Sequence, residues 1–197
     1  MKFSVKQLAL IGLMTAVICI LSPLALNIPV SPVPISLGFL AIYFVVSVVG
    51  MKLGTASVII YILLGLAGVP VFTNFTGGPA KLFGPTGGYI IGYIFMALIC
   101  GFFADKFAKS LPLYFLGMIS GTAVCYLFGT VWLGYQMDLT FSQALAAGVI
   151  PYIPGDLLKL VIAVAAGSQI RKRLLKAGLI EPSKTSDGNA VISQGNV

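Results

Sequence analysis

Six long apolar stretches constrain the fold of this chain more than any other feature of its sequence. Each runs for about 16 to 24 residues, the length of helix that crosses a hydrocarbon layer about 30 Å thick. They lie at about 8–26, 35–50, 53–69, 86–104, 112–135 and 154–177. Of the 197 residues, 58% are hydrophobic and only 9% are charged, whereas soluble domains carry about 25% charged residues. The sequence therefore predicts a multi-pass membrane protein.

The stretches lack the period-two alternation that a membrane β-barrel requires. We therefore predict an all-α membrane protein in which six transmembrane helices form one compact bundle over residues 1–178. Residues 179–197 are rich in polar side chains and have little to pack, so we predict a disordered cytoplasmic tail there.

The twelve Lys and Arg residues are distributed unevenly along the chain. With the N-terminus inside, ten of them lie on the inner side of the membrane: Lys2, Lys6, Lys52, Lys106, Lys109, Arg171, Lys172, Arg173, Lys176 and Lys184. This bias predicts a cell-membrane protein with both termini in the cytoplasm and its basic end against anionic membrane lipid. The chain has no polar, basic surface for nucleic acid, so we expect no nucleic-acid partner.

Composition excludes most catalytic chemistry. The chain contains no histidine, and Asp105, Asp138 and Asp156 fall in separate segments that form no obvious carboxylate pair. The three cysteines are each in an apolar run without metal-ligand spacing. We therefore predict that the protein is not an enzyme, has no cofactor and binds no metal.

The strongest candidate site is the segment Pro-Tyr-Ile-Pro-Gly-Asp-Leu-Leu-Lys at 151–159, which begins the sixth apolar stretch. With Pro154 in the first helical position, Asp156 lies in the first turn and Lys159 projects from the same face. One interpretation is a simple ion pair three residues apart. However, Lys159 would lie about 7 Å inside the helix, where an ammonium group needs a partner or a polar pocket. We therefore favour a ligand site that includes Tyr152.

A second candidate is Gly-Pro-Thr-Gly-Gly-Tyr at 84–89, where Pro85 suits a helix start. The backbone N–H groups of Thr86, Gly87 and Gly88 would then be free donors toward an anionic or carbonyl group. Close helix packing explains the two glycines equally well.

The loop at 70–85 resembles a lid, because it is long and carries aromatic side chains such as Phe72 and Phe75. Asn74 offers both a donor and an acceptor in this apolar setting, although an Asx turn explains it almost as well. Tyr93 and Tyr126 are interpreted as core or interface aromatics.

Gly12 and Ala16 form a small-x-x-x-small pattern in the first stretch. Such a pattern permits close approach by another helix, either a partner's or one within the bundle.

Four segments, in order, resemble the BioY family. They are Val-Pro-Ile-Ser-Leu at 33–37, Gly-Val-Pro-Val-Phe at 68–72, the glycine-rich segment at 84–89, and the segment at 151–159. BioY proteins are the biotin-binding S components of energy-coupling factor (ECF) transporters. The resemblance covers about 8–177 and departs from the family pattern at Gly38, where many relatives carry Gln, which puts a side-chain ligand from that helix in question.

The resemblance implies a six-helix S-component fold whose outer loops close over the vitamin. It implies high-affinity capture of biotin from outside and delivery through an ECF module, with a transmembrane scaffold subunit and a pair of ABC-type ATPases as partners. The chain has no P-loop motif of its own, so ATP hydrolysis would belong to a partner. The alternatives are a non-catalytic structural subunit of a membrane complex, or a transporter for another small, partly apolar carboxylate.

Biotin fits the candidate residues. Its ureido ring would donate to Asp156 and accept from Lys159, while aromatic side chains cover the fused rings. The predicted substrate-binding residues are Asp156, Lys159, Asn74, Thr86, Gly87, Gly88, Tyr89, Tyr152, Phe72 and Phe75. The predicted partner-docking residues are Gly12 and Ala16.

Overall fold

The computed structural model describes residues 4–27, 29, 31–108 and 110–180. Its elements in chain order are α1 (Val5–Leu21), β1 (Ala25–Leu26), β2 (Ile35–Ser36), α2 (Gly38–Leu66), α3 (Pro79–Leu82), α4 (Gly87–Lys106), α5 (Leu111–Met137), α6 (Phe141–Gly148), a 3₁₀ turn (Ile150–Tyr152) and α7 (Ile153–Lys176). Four helical stretches are long and apolar enough to cross a membrane, and α1 is a shorter apolar helix. The predicted disordered tail lies outside the described residues from 181 onward.

α2 is a helical hairpin. At Gly50 the backbone has φ 78° and ψ −169°, which breaks the helix. A Cβ on Gly54 would lie 3.0 Å from Val46 Cγ1, although a straight helix would separate these two positions by about 12 Å. The first arm, 38–49, and the second arm, 51–66, are therefore antiparallel. They correspond to the second and third predicted helices.

Asp105, near the end of α4, stabilises this break. Its Oδ2 accepts a hydrogen bond of 2.9 Å from the Met51 N–H, one of the free donors where the second arm begins. A Cβ at position 50 would lie 2.2 Å from Asp105 Oδ1, so both the backbone angle and the space require glycine.

The core is centred on the first arm of α2. Six of its side chains are fully buried: Ala41, Ile42, Tyr43, Val45, Val46 and Val48. The second arm, α4 and α7 pack around this arm, α5 packs on α4, and α1 packs on the second arm. The first arm therefore contacts other helices of the bundle, where an isolated membrane helix would contact lipid.

The bundle has two ends that differ in character. The loop end is formed by 22–27, 31–37, 67–86 and 138–152, with β1 and β2 paired antiparallel above the start of α2. The basic end holds Lys6, Lys52, Lys106 and the four basic residues near the end of α7, which are Arg171, Lys172, Arg173 and Lys176. Because α1 begins and α7 ends there, both ends of the described chain lie on one side of the bundle.

The predicted fold class, an all-α bundle of six membrane helices, is confirmed. α1 begins and ends earlier than the predicted 8–26, because a Ser4–Gln7 capping box starts it and Pro23 follows its end. The short helix α6 was not predicted, although Thr140 and Gln143 form a capping box at its start.

Candidate functional site

A small cavity lies at the loop end, beneath the loop that joins α1 to α2. Its volume is about 50 Å³, room for one or two water molecules. It is lined by Val33, Pro34, Ser36, Phe39, Thr73, Thr86, Tyr89, Ile90, Tyr93, Tyr126, Gly148, Tyr152, Asp156 and Lys159. An apolar and aromatic wall with a few convergent polar groups is typical of a small-molecule site.

Asp156 and Lys159 form the polar side of this cavity. α7 begins at Ile153 with proline in its first turn, so Asp156 lies close to the positive end of the helix. Lys159 Nζ is 2.8 Å from Asp156 Oδ1, and the two side chains are only 12% and 8% exposed. Tyr126 of α5 donates its hydroxyl to Asp156 Oδ2 at 2.6 Å. The carboxylate thus has a donor on each oxygen, as a buried charge requires.

The loop that covers the cavity is held by two side chains of the site. Lys159 Nζ donates to the Ser36 carbonyl at 2.7 Å, and the Tyr152 hydroxyl donates to the Val33 carbonyl. Both acceptors are backbone oxygens of 31–36, so two polar groups of the site face the underside of this loop.

Aromatic rings form the rest of the wall. Phe39 packs edge-on against Tyr93 with ring centroids 5.6 Å apart, and it lies 5.7 Å from Tyr126. Tyr89 donates its hydroxyl to the Gly148 carbonyl at 2.9 Å, which ties α4 to the end of α6. These contacts fix the rings, so the wall is preorganised.

Five of the predicted substrate-binding residues line the cavity. They are Asp156, Lys159, Tyr152, Thr86 and Tyr89. The hydroxyl of Thr86 is buried and has no hydrogen-bond partner among the described residues. It is therefore a free polar group at a cavity wall.

Gly87 and Gly88 do not line the cavity, and both lie where the chain is closely packed. A Cβ on Gly87 would lie 1.6 Å from the Leu82 carbonyl oxygen, and one on Gly88 would lie 2.3 Å from Trp132 Cβ. The Gly87 N–H donates to the Gly84 carbonyl at 3.0 Å. The predicted cradle of three free N–H donors is therefore wrong for Gly87, because the chain turns tightly before α4 and uses that donor itself.

The three predicted residues of the loop at 70–85 do not line the cavity. Phe72 is 1% exposed and packs edge-on against Tyr61, whereas Phe75 is 64% exposed. Asn74 donates its side-chain amide to Asn27 Oδ1 at 2.9 Å and so ties this loop to the loop after α1. The residue of this loop that lines the cavity is Thr73, next to Asn74.

Sequence reasoning missed several lining residues. Tyr126 and Tyr93 lie in the middle of apolar runs, and only the packing of α5 and α4 against the other helices brings them to the site. Ser36 contributes its backbone carbonyl, which leaves no trace in a side-chain pattern. Gly38 does not line the cavity, and a Cβ there would lie 3.2 Å from the Tyr93 hydroxyl.

The docking pattern on α1 faces away from the bundle. Gly12 and Ala16 are exposed, and a Cβ on Gly12 would meet nothing within 4 Å. The opposite face, with Ile11, Met14 and Ile18, is buried. Internal packing, the alternative interpretation of this pattern, does not occur.

Three comparisons with known proteins agree with one another. A family model described as the BioY family matches residues 1–176. A curated Biotin transporter BioY from Thermotoga maritima is 35% identical, over 85% of this chain and 96% of the relative. Biotin transporter BioY2 from Lactococcus lactis subsp. cremoris is 34% identical, over 85% of this chain and 91% of the relative.

A solved structure also matches. It is described as the S-component for biotin from an ECF-type ABC transporter, with a TM-score of 0.78 and 33% identity over 85% of this chain and 92% of that one. The resemblance carried by the four sequence segments is therefore confirmed: this multi-pass membrane protein belongs to the BioY family.

Proposed function

We propose that this chain is the biotin-binding S component of an ECF-type vitamin transporter. Its relatives are biotin transporters by name, and the solved structure that it resembles is an S component for biotin. The observation that carries the proposal is the buried Asp156–Lys159 pair at the wall of an aromatic cavity.

The ligand chemistry matches these groups. Asp156 accepts from a ureido N–H of biotin, and Lys159 donates to the ureido oxygen. Phe39, Tyr93 and Tyr152 contact the apolar fused rings. The unpartnered Thr86 hydroxyl supplies a further hydrogen bond to a polar atom of the ligand.

We expect the loop over the cavity to shift when biotin binds, because the accessible volume of about 50 Å³ is small for a fused two-ring ligand with a valerate chain. When biotin enters, Lys159 exchanges the Ser36 carbonyl for the ureido carbonyl. One carbonyl acceptor replaces another, so the buried ammonium loses no hydrogen bond. The ligand then binds with high affinity in a site that excludes water.

We further propose that both termini are cytoplasmic, which puts the loop end outside and the basic end against the inner leaflet. The exposed Gly12–Ala16 face of α1 then docks a scaffold subunit that carries two ABC-type ATPases. In this arrangement the chain captures biotin, and the partners supply the energy for delivery.

A ligand-selectivity measurement tests the binding proposal. Isothermal titration of the detergent-purified chain compares biotin with lipoate, which has a similar acid chain but lacks the ureido group. We expect biotin to bind and lipoate to bind at least about tenfold more weakly, since buried polar groups would be left unpaired. Equal affinities would favour a transporter for another small carboxylate, and no binding of either would favour a structural subunit.

A tryptophan substitution tests the docking proposal. Gly12→Trp should abolish biotin uptake by cells and leave biotin binding to the purified chain unchanged, because the position is exposed and does not line the cavity. Leu127→Trp, on the exposed face of α5, is the matched control and should preserve both activities. Uptake that survives Gly12→Trp would reject this docking face.

A further inference from the structure

We propose that the groove between α5 and α7 binds an anionic phospholipid. Its phosphate would lie at the basic end of the bundle, and one acyl chain would follow the groove toward the loop end. The inference goes beyond biotin binding: the groove opens between α5 and α7, and its apolar part shares Tyr126 and Asp156 with the biotin cavity.

The groove forms because α5 and α7 pack against different helices. α5 packs on α4, where Gly121 meets the Cys100 sulfur, and α7 packs on the first arm of α2, where Gly167 meets Ser47. The backbones of the two helices, both fully described, come close at few points, and at the loop end the Tyr126 hydroxyl bonds to Asp156 across the gap. Tyr43 and Ser47 of the first arm line the floor between them.

The basic end of the groove is a cavity of about 420 Å³. Its polar lining includes Arg171, Lys172, Ser168 and Tyr114. The Arg171 Nη2 is 2.5 Å from Asp105 Oδ1, but its Nη1 is buried and has no hydrogen-bond partner among the described residues. A guanidinium with one unpaired nitrogen, next to the exposed Lys172 ammonium, attracts a phosphate, and a small shift of the Arg171 side chain would bring that nitrogen to a phosphate oxygen.

The middle of the groove is a second cavity of about 210 Å³, with an almost entirely apolar lining. Ile119 and Ala123 of α5 and Leu157 and Leu160 of α7 form its sides. From Arg171 to Leu160 the distance along α7 is about 16 Å, close to half of a hydrocarbon layer about 30 Å thick. One acyl chain of a lipid in a single leaflet therefore has the length to join the two cavities.

A phospholipid accounts for both cavities, whereas free phosphate would fill only the basic one. The opening of the groove between two membrane helices also gives lipid direct access. Basic pockets between helices at the cytoplasmic side are typical sites for anionic headgroups.

Native mass spectrometry of the detergent-purified chain tests the proposal. Phosphatidylglycerol and phosphatidylcholine with identical acyl chains are added separately, and the fraction of lipid-bound protein is compared. We expect phosphatidylglycerol to occupy the protein about fivefold more than phosphatidylcholine. Inorganic phosphate at millimolar concentration should not displace it. Equal occupancy by the two lipids, or displacement by phosphate alone, would overturn the phospholipid assignment.

Three variants locate the site. Arg171→Gln and Lys172→Gln should each remove most of the preference for phosphatidylglycerol, and Ala123→Phe should fill the apolar cavity and reduce binding of both lipids. Lys172 and Ala123 are exposed, so these two variants keep the test valid if Arg171→Gln fails to fold. Lys176→Gln, an exposed α7 position outside the groove lining, is the charge-matched control. If Lys172→Gln and Lys176→Gln lower the preference for phosphatidylglycerol by the same amount, the groove is not the binding site.

Discussion

The two ends of the bundle each hold a partly buried ion pair, and the two pairs are built differently. At the loop end, Asp156 and Lys159 are three residues apart on one helix. At the basic end, Asp105 of α4 pairs with Arg171 of α7. In both pairs the second carboxylate oxygen accepts another hydrogen bond, from the Tyr126 hydroxyl or from the Met51 N–H.

The difference lies in what each pair holds together. Asp105 joins α2, α4 and α7. It accepts a hydrogen bond from the Met51 N–H, and no other group can take over that bond once the α2 hairpin has formed. Lys159, in contrast, donates its second hydrogen bond to the Ser36 carbonyl, which belongs to the loop that covers the cavity. A ligand carbonyl can replace that acceptor. We infer that the pair at the basic end maintains the fold, whereas the pair at the loop end is available for binding.

The largest expected effect is on stability, from Gly50→Ala at the basic end. Alanine would have to adopt a backbone conformation that is almost restricted to glycine, and its Cβ would displace the Asp105 carboxylate. We expect a loss of at least about 2 kcal/mol, which thermal unfolding in detergent measures. Gly12→Ala, where the added Cβ meets nothing, should not lower the stability. An unchanged melting temperature for Gly50→Ala would contradict this account of the hairpin.

The second prediction concerns biotin affinity and the pair at the loop end. Asp156→Asn and Lys159→Ala should each weaken biotin binding by about 1–3 kcal/mol, roughly five- to 150-fold, while the protein stays folded. Because we propose that both residues contact the same ureido group, the double variant should bind biotin about as weakly as the more impaired of the two single variants. Titration calorimetry with a parallel melting curve provides the measurement.

The matched control for this prediction is Asp105→Asn at the basic end. It should lower the melting temperature and leave the biotin affinity of the folded protein unchanged. If Asp105→Asn weakened biotin binding as much as Asp156→Asn, the contrast between the two ends would be lost.

The fold was largely predictable because it follows from the number and length of the apolar stretches in the sequence. Six stretches gave the six helical segments, and even the short break at 50–52 marks the turn of the α2 hairpin. Family membership also confirms the prediction that the protein is not an enzyme. Helix α6 and the β1–β2 pair were not predicted. Helix α6 has eight residues and β1 has two, which is too short for a recognisable hydrophobic periodicity.

The site was only partly predictable. Asp156 and Lys159 stood out because charge in an apolar helix requires a partner, and the structure places them together. Gly87 could not be assigned from sequence, since the same glycine permits either a free donor or close packing, and packing prevails here. Tyr126 reaches Asp156 from another helix, a contact that spacing along the chain cannot show.

A third, smaller effect should follow from Tyr126→Phe. The change removes one donor from Asp156 and keeps the ring in the wall, so we expect biotin affinity to fall by about 1 kcal/mol, or about fivefold. Tyr114→Phe removes a comparable hydroxyl at the basic end, where it donates to Ser47 Oγ at 2.7 Å, and should leave biotin affinity unchanged. Equal losses in the two variants would mean that general packing, and not the carboxylate contact, sets the affinity.

The smallest expected effect is that of Asn74→Ala, and it decides between two roles for this side chain. In the structure Asn74 links two loops through Asn27 and does not line the cavity, so its hydrogen bond acts only on loop closure. An exposed side-chain hydrogen bond of this kind contributes about 0.5–1.5 kcal/mol at most. We expect biotin to dissociate about threefold faster while the binding enthalpy changes little. Stopped-flow displacement of biotin, combined with calorimetry, separates the two quantities. If affinity fell by more than tenfold with a large loss of binding enthalpy, Asn74 would contact the ligand directly once the loop has rearranged, as the sequence alone predicts.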